Sequence, residues 1–221
     1  MAKIGVVLSG CGVYDGSEIH ESVLTLYFLD KLGATTVIMA PNIYQAHVIN
    51  HLTGDVSKDE KRNVLIESAR IARGNIKDIK EIRAADLDAL IFPGGFGAAK
   101  NLCTFAFDGT NCKVNDDVAR LAKDVYNLGK PIGAICITPV MIAKIFGEVT
   151  PVELTIGADK ESANAIDTMG GRHISCTATN IVIDSKNRIV STPAYMLPAS
   201  IKEIGGGIDK LVNTVLEMVR K

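Results

Sequence analysis

Tryptophan is missing from the sequence, other aromatic residues are few, and neither sign of charge is in excess. The chain has no Trp, 5% aromatic residues and a formal net charge of −1, from 24 Lys and Arg against 25 Asp and Glu. Because basic and acidic side chains are balanced, no basic surface is expected for nucleic acid or for anionic lipid. We therefore predict that the protein binds neither nucleic acid nor membrane.

Long hydrophobic runs are also lacking. No apolar stretch approaches the roughly 20 residues needed to span a bilayer. The opening segment, MAKIGVVLSG, has one positive charge and a short apolar run, without a cleavage site of small residues. It is interpreted as a first strand, and the sequence predicts a soluble, cytoplasmic protein.

Cysteine and histidine spacings exclude the common metal and disulfide patterns. The five cysteines are an odd number without any C-x-x-C pair, which argues against a disulfide framework and a zinc knuckle. H-E-x-x-H spacing is missing, and the two histidines of HVINH are interpreted as a surface pair. We expect no metal site and five free thiols, at Cys11, Cys103, Cys112, Cys136 and Cys176.

The patterns that are present indicate a single α/β domain over residues 1–221. The chain is 47% hydrophobic, and short β-branched runs alternate with helix-length amphipathic segments, which is typical of βαβ units and a mostly parallel sheet. Strands are predicted over residues 3–8, 35–39, 89–92, 131–135, 152–156, 181–183 and 188–191. The turn DSKNR between the last two predicts an antiparallel pair at one edge of the sheet.

The predicted helices have clear end signals. Gly33 and Gly129 follow the last turns of two helices, and Asn115 is the N-cap of the second. The segment GIDKLVNTVLEMVRK closes the chain as another helix. The first helix should pack on the sheet through one face, formed by Ile19, Val23, Leu26 and Leu29 or Asp30. Residues 41–61 form an excursion between strands that could carry one short helix and cover a site or build an interface.

The first candidate for chemistry is the stretch PIGAICITPVMIAKIF. In an open α/β sheet ligands bind at the carboxyl ends of strands, and here a strand-length run reaches Cys136 with a helix following at once. Pro139 suits the first helical turn, and Ala134 is the small residue that a nucleophile elbow needs; Thr138 fits less well. The helix N–H groups and dipole favour a thiolate, so one interpretation is an exposed nucleophile. The other is a cysteine packed in the core, and spacing alone does not decide.

A second candidate is the glycine turn FPGGFGAAKNL. The N–H groups of Gly94 and Gly95 can approach a ligand closely and form an oxyanion hole beside a nucleophile, together with the amide of Ile137. Asn101 is placed with them in the predicted substrate-binding group. A turn that serves only tight strand-to-helix packing explains the glycines equally well.

The third candidate follows the first strand, in LSGCGVYDGSEIHESVL. We predict that Gly10, Cys11 and Tyr14 of this loop contribute to substrate binding. Glu18 and Glu21 begin the next helix, where the helix dipole alone would explain them. One of them could instead project towards Cys136, hold its proton in a buried environment and share it with the thiolate. His173, the only histidine after Cys136, falls near the start of a strand, a poor place for a base.

Five motifs in order, GVVLSGCGVYDGSEIHE, NVLIESARIARG, FPGGFGAAKNL, GKPIGAICITPVM and STPAYM, together resemble the ElbB glyoxalase-like family. This family lies within the PfpI and class I glutamine-amidotransferase-like superfamily. The resemblance implies a flavodoxin-like three-layer sandwich with helices on both faces, a homodimer, and an elbow cysteine at Cys136. It also implies a carboxylate partner on the first helix; counting back from Gly33, this is Glu21 rather than Glu18.

Two departures from the superfamily pattern bear on activity. No H-x-E follows Cys136, which argues against glutamine hydrolysis. Many relatives also have a histidine where this chain has Ile156 and Gly157.

The function that the resemblance implies is conversion of glyoxal, a small aldehyde, to glycolate without a cofactor, and this activity could reflect deglycation. Cys136 would form a hemithioacetal, Gly95 and Ile137 would stabilise the oxyanion, and Glu21 would move the proton. The alternative is a non-enzymatic stress-response or ligand-binding protein in which Cys136 is a redox-sensitive thiol. A peptidase ranks third because the base is absent.

Overall fold

A computed structural model describes all 221 residues, and nine strands form two sheets. In chain order they are β1 (Lys3–Val7), β2 (Thr35–Ala40), β3 (Lys77–Asp78), β4 (Ala89–Phe92), β5 (Ile132–Ile135), β6 (Glu153–Leu154), β7 (Arg172–His173), β8 (Val182–Asp184) and β9 (Ile189–Thr192). Seven form the central sheet in the order β3-β2-β1-β4-β5-β9-β8, and only the edge strand β8 is antiparallel to its neighbour. The small second sheet pairs β6 with β7.

Helices cover both faces of the central sheet. They are α1 (Ile19–Lys31), α2 (Val64–Ile71), α3 (Phe105–Asp108), α4 (Asp116–Asn127), α5 (Thr138–Phe146), α6 (Lys160–Thr168) and α7 (Ile201–Val219). One buried cluster lies between the sheet and α4, α5 and α6, and a second lies between the opposite face and α1, α2 and α7. The predicted flavodoxin-like three-layer sandwich with a mostly parallel sheet is confirmed. None of the helices has the length and apolar character that crossing a membrane requires.

The central strands read as continuous apolar runs because both of their faces are covered. Every residue of β4, β5 and β9 is buried. Local end signals also act as predicted: the Asn115 side chain accepts hydrogen bonds from the first turn of α4, and Gly33 and Gly129 have positive φ after α1 and α4.

The predicted buried face of α1 is confirmed at Leu29 and wrong at Ile19 and Val23. Ile19 and Val23 are 43% and 50% exposed, whereas the buried residues are Glu21, Ser22, Thr25 and Leu29. The Ser22 and Thr25 hydroxyls each donate to a backbone carbonyl one turn earlier, at 2.7 Å, so their burial leaves no donor unpaired. The buried side of α1 is therefore largely polar. It positions Glu21 next to the carboxyl ends of the strands.

Two further predictions also differ from the structure. The strand predicted over 152–156 shortens to β6 and pairs with β7 outside the central sheet. The excursion over 41–61 contains turns and an isolated bridge between Ile49 and Val56, but no helix. Its Ile49 N–H donates to Asp15 Oδ2 at 2.7 Å, which ties the excursion to the loop after β1.

Candidate active site

Cys136 occupies the turn between β5 and α5. Its φ is +63°, in the left-handed region that non-glycine residues seldom adopt, so the turn is strained. Two contacts hold it: the Cys136 N–H donates to Thr192 O at 2.9 Å, and Thr138 Oγ1 lies 2.8 Å from Ile135 N and 3.1 Å from Phe92 O. The structure thus confirms a strand-to-helix elbow, and the Thr138 hydroxyl stabilises the turn through hydrogen bonds to the backbone.

Glu21 reaches the elbow from α1 and is fully buried. Its Oε2 accepts the Gly94 N–H at 2.9 Å, its Oε1 accepts the Tyr195 N–H at 3.4 Å, and its carboxyl hydrogen-bonds the Cys136 thiol. Burial, reinforced by the charge of Glu18, raises the pKa of Glu21 from 4.5 to about 8. The carboxyl therefore keeps its proton through most of the neutral range.

The Cys136 thiol is only 7% exposed. The N–H groups of Gly95 and Ile137 donate to its sulfur, which favours the thiolate, but burial and the adjacent Glu21 carboxyl raise the thiol pKa well above its usual range. The expectation of an exposed thiol activated by the helix N-terminus is therefore wrong. Two backbone donors do not outweigh loss of water and a carboxyl in hydrogen-bond contact.

The two glycines after β4 are required by close approach, Gly94 to the Cys136–Glu21 pair and Gly95 to the backbone that leads into α1. A Cβ on Gly94 would lie 2.3 Å from the Cys136 Cβ and 2.6 Å from Glu21 Oε2. Gly95 has φ +100°, and a Cβ there would lie 2.3 Å from the Glu18 nitrogen. The Gly94 N–H is committed to Glu21, so the donors directed at the sulfur are those of Gly95 and Ile137.

A cavity of about 440 Å³ opens beside the sulfur. Its apolar wall includes Val13, Phe96, Ala99, Phe105, Ala106, Ile137 and Met196, and its polar groups belong to Glu18, Asp159, Ser162 and Tyr195. The size and the mixed lining are those of a small-molecule site. Asp159 caps α6 by accepting the Ser162 N–H at 2.8 Å, so it is held in place at the rim.

Of the residues assigned to substrate binding, Gly95 and Ile137 line this cavity, whereas Gly94, whose N–H is held by Glu21, does not. Four others also lie outside the lining: Gly10, Cys11, Tyr14 and Asn101. The Gly10 N–H donates to Ser68 Oγ at 2.9 Å, and the Tyr14 N–H donates to His51 Nε2 at 3.2 Å, so this part of the loop contacts α2 and the excursion. The pKa of the half-buried Cys11 thiol is raised, first by burial and then by the charge of Glu67 on α2.

Asn101 acts as a structural clamp. Its Nδ2 donates to Ser9 O and Asp15 O, each at 2.9 Å, and its Oδ1 accepts the Ala46 N–H at 2.9 Å. These contacts tie together the loop after β1, the turn after β4 and the excursion. The four assignments therefore gain no support from the geometry.

Two residues that line the cavity were missed by the sequence predictions. Tyr195 follows β9 and borders the cavity, and its backbone holds Glu21; its hydroxyl lies 2.9 Å from His20 Nδ1 on α1. The rule that sites form at the carboxyl ends of strands would have identified Tyr195 if it had been applied to β9. Asp159 borders the cavity two residues after Gly157 and three after buried Ile156.

The elbow cysteine, its carboxyl partner and the sheet topology belong to a protein of the glutamine amidotransferase-like class 1 type, as a 48% identical relative shows. No protein-family model matches the chain. It is 48% identical to the human "Glutamine amidotransferase-like class 1 domain-containing protein 3, mitochondrial", over its full length and 84% of that protein. It is 47% identical to the "ES1 protein homolog, mitochondrial" of Rattus norvegicus and 36% identical to the "ES1 protein, mitochondrial" of Danio rerio, covering 85% and 87% of them. The chain belongs to this ES1 family.

Solved structures agree with this assignment. An isoprenoid biosynthesis protein with an amidotransferase-like domain from Ehrlichia chaffeensis matches with a TM-score of 0.91 and 38% identity, over 97% of this chain and 99% of that one. Glyoxalase III from Candida albicans matches with a TM-score of 0.63 and 15% identity, over 98% and 97%, which shows a shared fold. The predicted cytoplasmic location is wrong, since the three curated relatives are named as mitochondrial proteins.

Proposed function

We propose that the protein is a cofactor-independent enzyme that converts a small aldehyde, with glyoxal as the simplest case, into the corresponding hydroxy acid. The observation that supports this most directly is the buried pair of Cys136 and Glu21, with the Gly95 and Ile137 N–H groups directed at the same sulfur. In this proposal Cys136 is the nucleophile and Glu21 carries the proton. The two N–H groups beside the sulfur form the oxyanion site.

In the first step the Cys136 sulfur bonds to one carbonyl carbon of glyoxal and the carbonyl π electrons move to oxygen. The Gly95 and Ile137 N–H groups stabilise the developing negative charge. The thiol proton passes to that oxygen through the Glu21 carboxyl and completes a hemithioacetal. Because the thiol is protonated at neutral pH, attack and proton transfer must be coupled, and the contact between Glu21 and the thiol allows this.

In the second step the ionised form of Glu21, produced when the carboxyl loses its proton to solvent, removes the C–H proton of the hemithioacetal carbon. The neighbouring carbonyl oxygen takes up a proton, which gives an enediol. Return of a proton to the neighbouring carbon gives a thioester of glycolate, so one carbon is oxidised and the other reduced without an outside electron acceptor. Water then cleaves the thioester, releasing glycolate and the Cys136 thiol. A Glu21 pKa of about 8 suits this role, since general catalysis is most efficient when the pKa lies near the working pH.

The resemblance to the ElbB glyoxalase-like family and the lining of the cavity support this proposal. The volume of about 440 Å³ exceeds what glyoxal needs, so longer aldehydes and early glycated adducts also fit the aldehyde class. Glutamine hydrolysis is not proposed because no H-x-E follows Cys136. The rival role of Cys136 as an oxidation sensor is disfavoured by its raised pKa, since oxidants react with the thiolate form.

The test is glycolate formation from glyoxal by the wild type, Cys136→Ala and Glu21→Gln, with Cys176→Ala as a matched control outside the cavity. We expect Cys136→Ala to fall to the buffer rate, Glu21→Gln to lose about 10²–10⁴-fold, and Cys176→Ala to keep the wild-type rate. The proposal would be wrong if the wild type formed glycolate no faster than buffer alone, or if Cys136→Ala kept full activity.

A further inference from the structure

A second pair of thiols lies on the far side of the cavity wall. Cys103 forms an antiparallel bridge with Val114, and the Thr104 N–H donates to Lys113 O at 2.9 Å. In this pairing Cys112, two residues before Val114, projects from the same face as Cys103 and is its diagonal neighbour. Both cysteines are buried, 2% and 1% exposed, and their thiols hydrogen-bond each other.

The two thiols have unlike environments. The Cys103 Sγ donates to Ala98 O at 3.4 Å and the Cys103 thiol also hydrogen-bonds Cys112. That hydrogen bond and the positive charge of Lys144 on α5 lower the pKa of Cys112 to about 7, despite its burial and the opposing charge of Asp108. The Lys144 ammonium is fixed there by donating to Thr110 O at 3.1 Å. The same hydrogen bond, together with burial, raises the pKa of Cys103 well above its usual range. Cys112 is therefore the attacking thiol and Cys103 the proton-holding partner.

A short segment of mostly exposed residues, 106–113, surrounds Cys112 and is the route by which a reagent would reach its thiol. The residues from Ala106 to Gly109 are exposed, and so are Asn111 and Lys113 on either side of Cys112. The segment contains only the one-turn α3 and a short 3₁₀ turn at Gly109–Asn111. A small opening of this segment would admit an oxidant without disturbing the sheet.

We propose that Cys103 and Cys112 form a redox-active dithiol that a hydroperoxide converts into an intramolecular disulfide. The Cys112 thiolate attacks the peroxide oxygen, the O–O bond breaks, and a sulfenic acid forms as hydroxide or alkoxide leaves. The Cys103 sulfur then displaces the sulfenic hydroxyl, which takes the Cys103 proton and leaves as water. The two thiols lose two electrons and the peroxide gains them, while an external dithiol reverses the change. This site does not depend on the proposed aldehyde chemistry.

The disulfide would close residues 103–112 into a ring that includes Phe105 and Ala106. Both residues line the cavity that contains Cys136. Since packed walls transmit small shifts, oxidation of the dithiol should alter access to Cys136.

The test uses the intact wild-type protein, dilute hydrogen peroxide and peptide mapping without reductant. Trypsin cuts after Lys100 and Lys113, so residues 101–113 form one peptide with both cysteines. We expect this peptide to lose two hydrogen atoms at least about tenfold faster than Cys11, Cys136 or Cys176 is oxidised. Oxidation of any of those three first, with both thiols of the 101–113 peptide still free, would overturn the proposal.

Variants then separate the two roles. Cys103→Ser should leave a sulfenic acid on Cys112 that dimedone traps, whereas Cys112→Ser should leave Cys103 reduced; Cys176→Ser is the matched control and should oxidise like the wild type. The reverse pattern would overturn the assigned roles. The wild-type map does not depend on whether a variant folds. Alkylation of Cys136 should change at least about twofold after oxidation, and an unchanged rate would overturn the link to the cavity.

Discussion

Cys136 and Cys112 are both buried cysteines, yet the pKa values of their thiols are shifted in opposite directions. Cys136 has the better backbone setting, at the start of a helix with two N–H donors on its sulfur, but burial and the adjacent Glu21 carboxyl raise its pKa well above the usual range. Cys112 has a thiol donor and Lys144 beside it, and its pKa falls to about 7. The comparison shows that the neighbouring side chain decides the charge of a buried thiol, and the helix terminus is secondary.

The largest effect expected on the Cys136 side of this comparison is on stability. The Glu21 pKa rises from 4.5 in the unfolded chain to about 8, so the stability that the neutral carboxyl contributes is complete below pH 4.5 and is lost as the pH rises through 8. The slope is about 1.4 kcal/mol per pH unit between roughly pH 5 and 8. Glu21→Gln removes the titration, so the folding equilibrium of the wild type should fall by about a thousandfold relative to the variant over that range.

Urea unfolding of both proteins at several pH values measures this difference. The amide of the Glu21→Gln variant is neutral, like the protonated carboxyl. Groups that titrate alike in both proteins therefore cancel when the two pH profiles of unfolding free energy are subtracted. Parallel pH profiles for the two proteins would mean that Glu21 is ionised in the folded state, contrary to the account of the pair.

The next effect concerns the geometry around the same pair. Gly94→Ala puts a Cβ 2.3 Å from the Cys136 Cβ, so Cys136 and Glu21 must move apart. We expect glyoxal turnover to fall by about a hundredfold, since displacements of about 1 Å have that cost. Gly206→Ala is the matched control, because nothing lies within 4 Å of its added Cβ. Equal turnover by both variants would show that the close approach is not needed.

A smaller effect is expected on thiol reactivity. Glu21→Gln removes the negative charge that forms beside Cys136 above pH 8, while the Gly95 and Ile137 donors remain. Alkylation of Cys136 at about pH 9 should become about tenfold faster, equivalent to a pKa lower by about one unit. The variant would thus react faster with iodoacetamide and slower with glyoxal. Slower alkylation in the variant would mean that Glu21 activates the thiol.

The smallest effect belongs to the Cys112 side. Lys144→Gln removes a positive charge near Cys112, so the thiol pKa should rise and peroxide oxidation of the 101–113 peptide should slow by about threefold at pH 7. Lys123→Gln, at an exposed position on α4, is the control, and its 101–113 peptide should oxidise at the wild-type rate. Identical rates for the two variants would assign the low pKa to the thiol pair alone.

Local signals in the sequence predicted much of the fold. The run at 89–92 matches β4, and Asn115 and Gly129 mark the two ends of α4. These features depend on neighbours along the chain, or on a strand being covered on both faces, and periodicity reports both. The elbow at Cys136 was found in the same way.

Tertiary contacts account for the features that the sequence did not reveal. The inward strip of α1 is polar, so an apolar-face rule selected Ile19 and Val23 instead of Glu21 and Thr25. The short β6 read as a longer strand because its apolar flanks are buried outside the central sheet. The burial of Cys136 and its raised pKa depend on Glu21, whose approach no local pattern encodes.

Side-chain neighbours shift the pKa values of these two buried thiols in opposite directions. Alkylation of both cysteines in one sample, followed as a function of pH, measures the two shifts. Iodoacetamide labelling, read by mass spectrometry of the Cys112 and Cys136 peptides, gives both titration curves under identical conditions. The account predicts a midpoint near 7 for Cys112 and one well above 9 for Cys136. A Cys136 midpoint at or below that of Cys112 would contradict it.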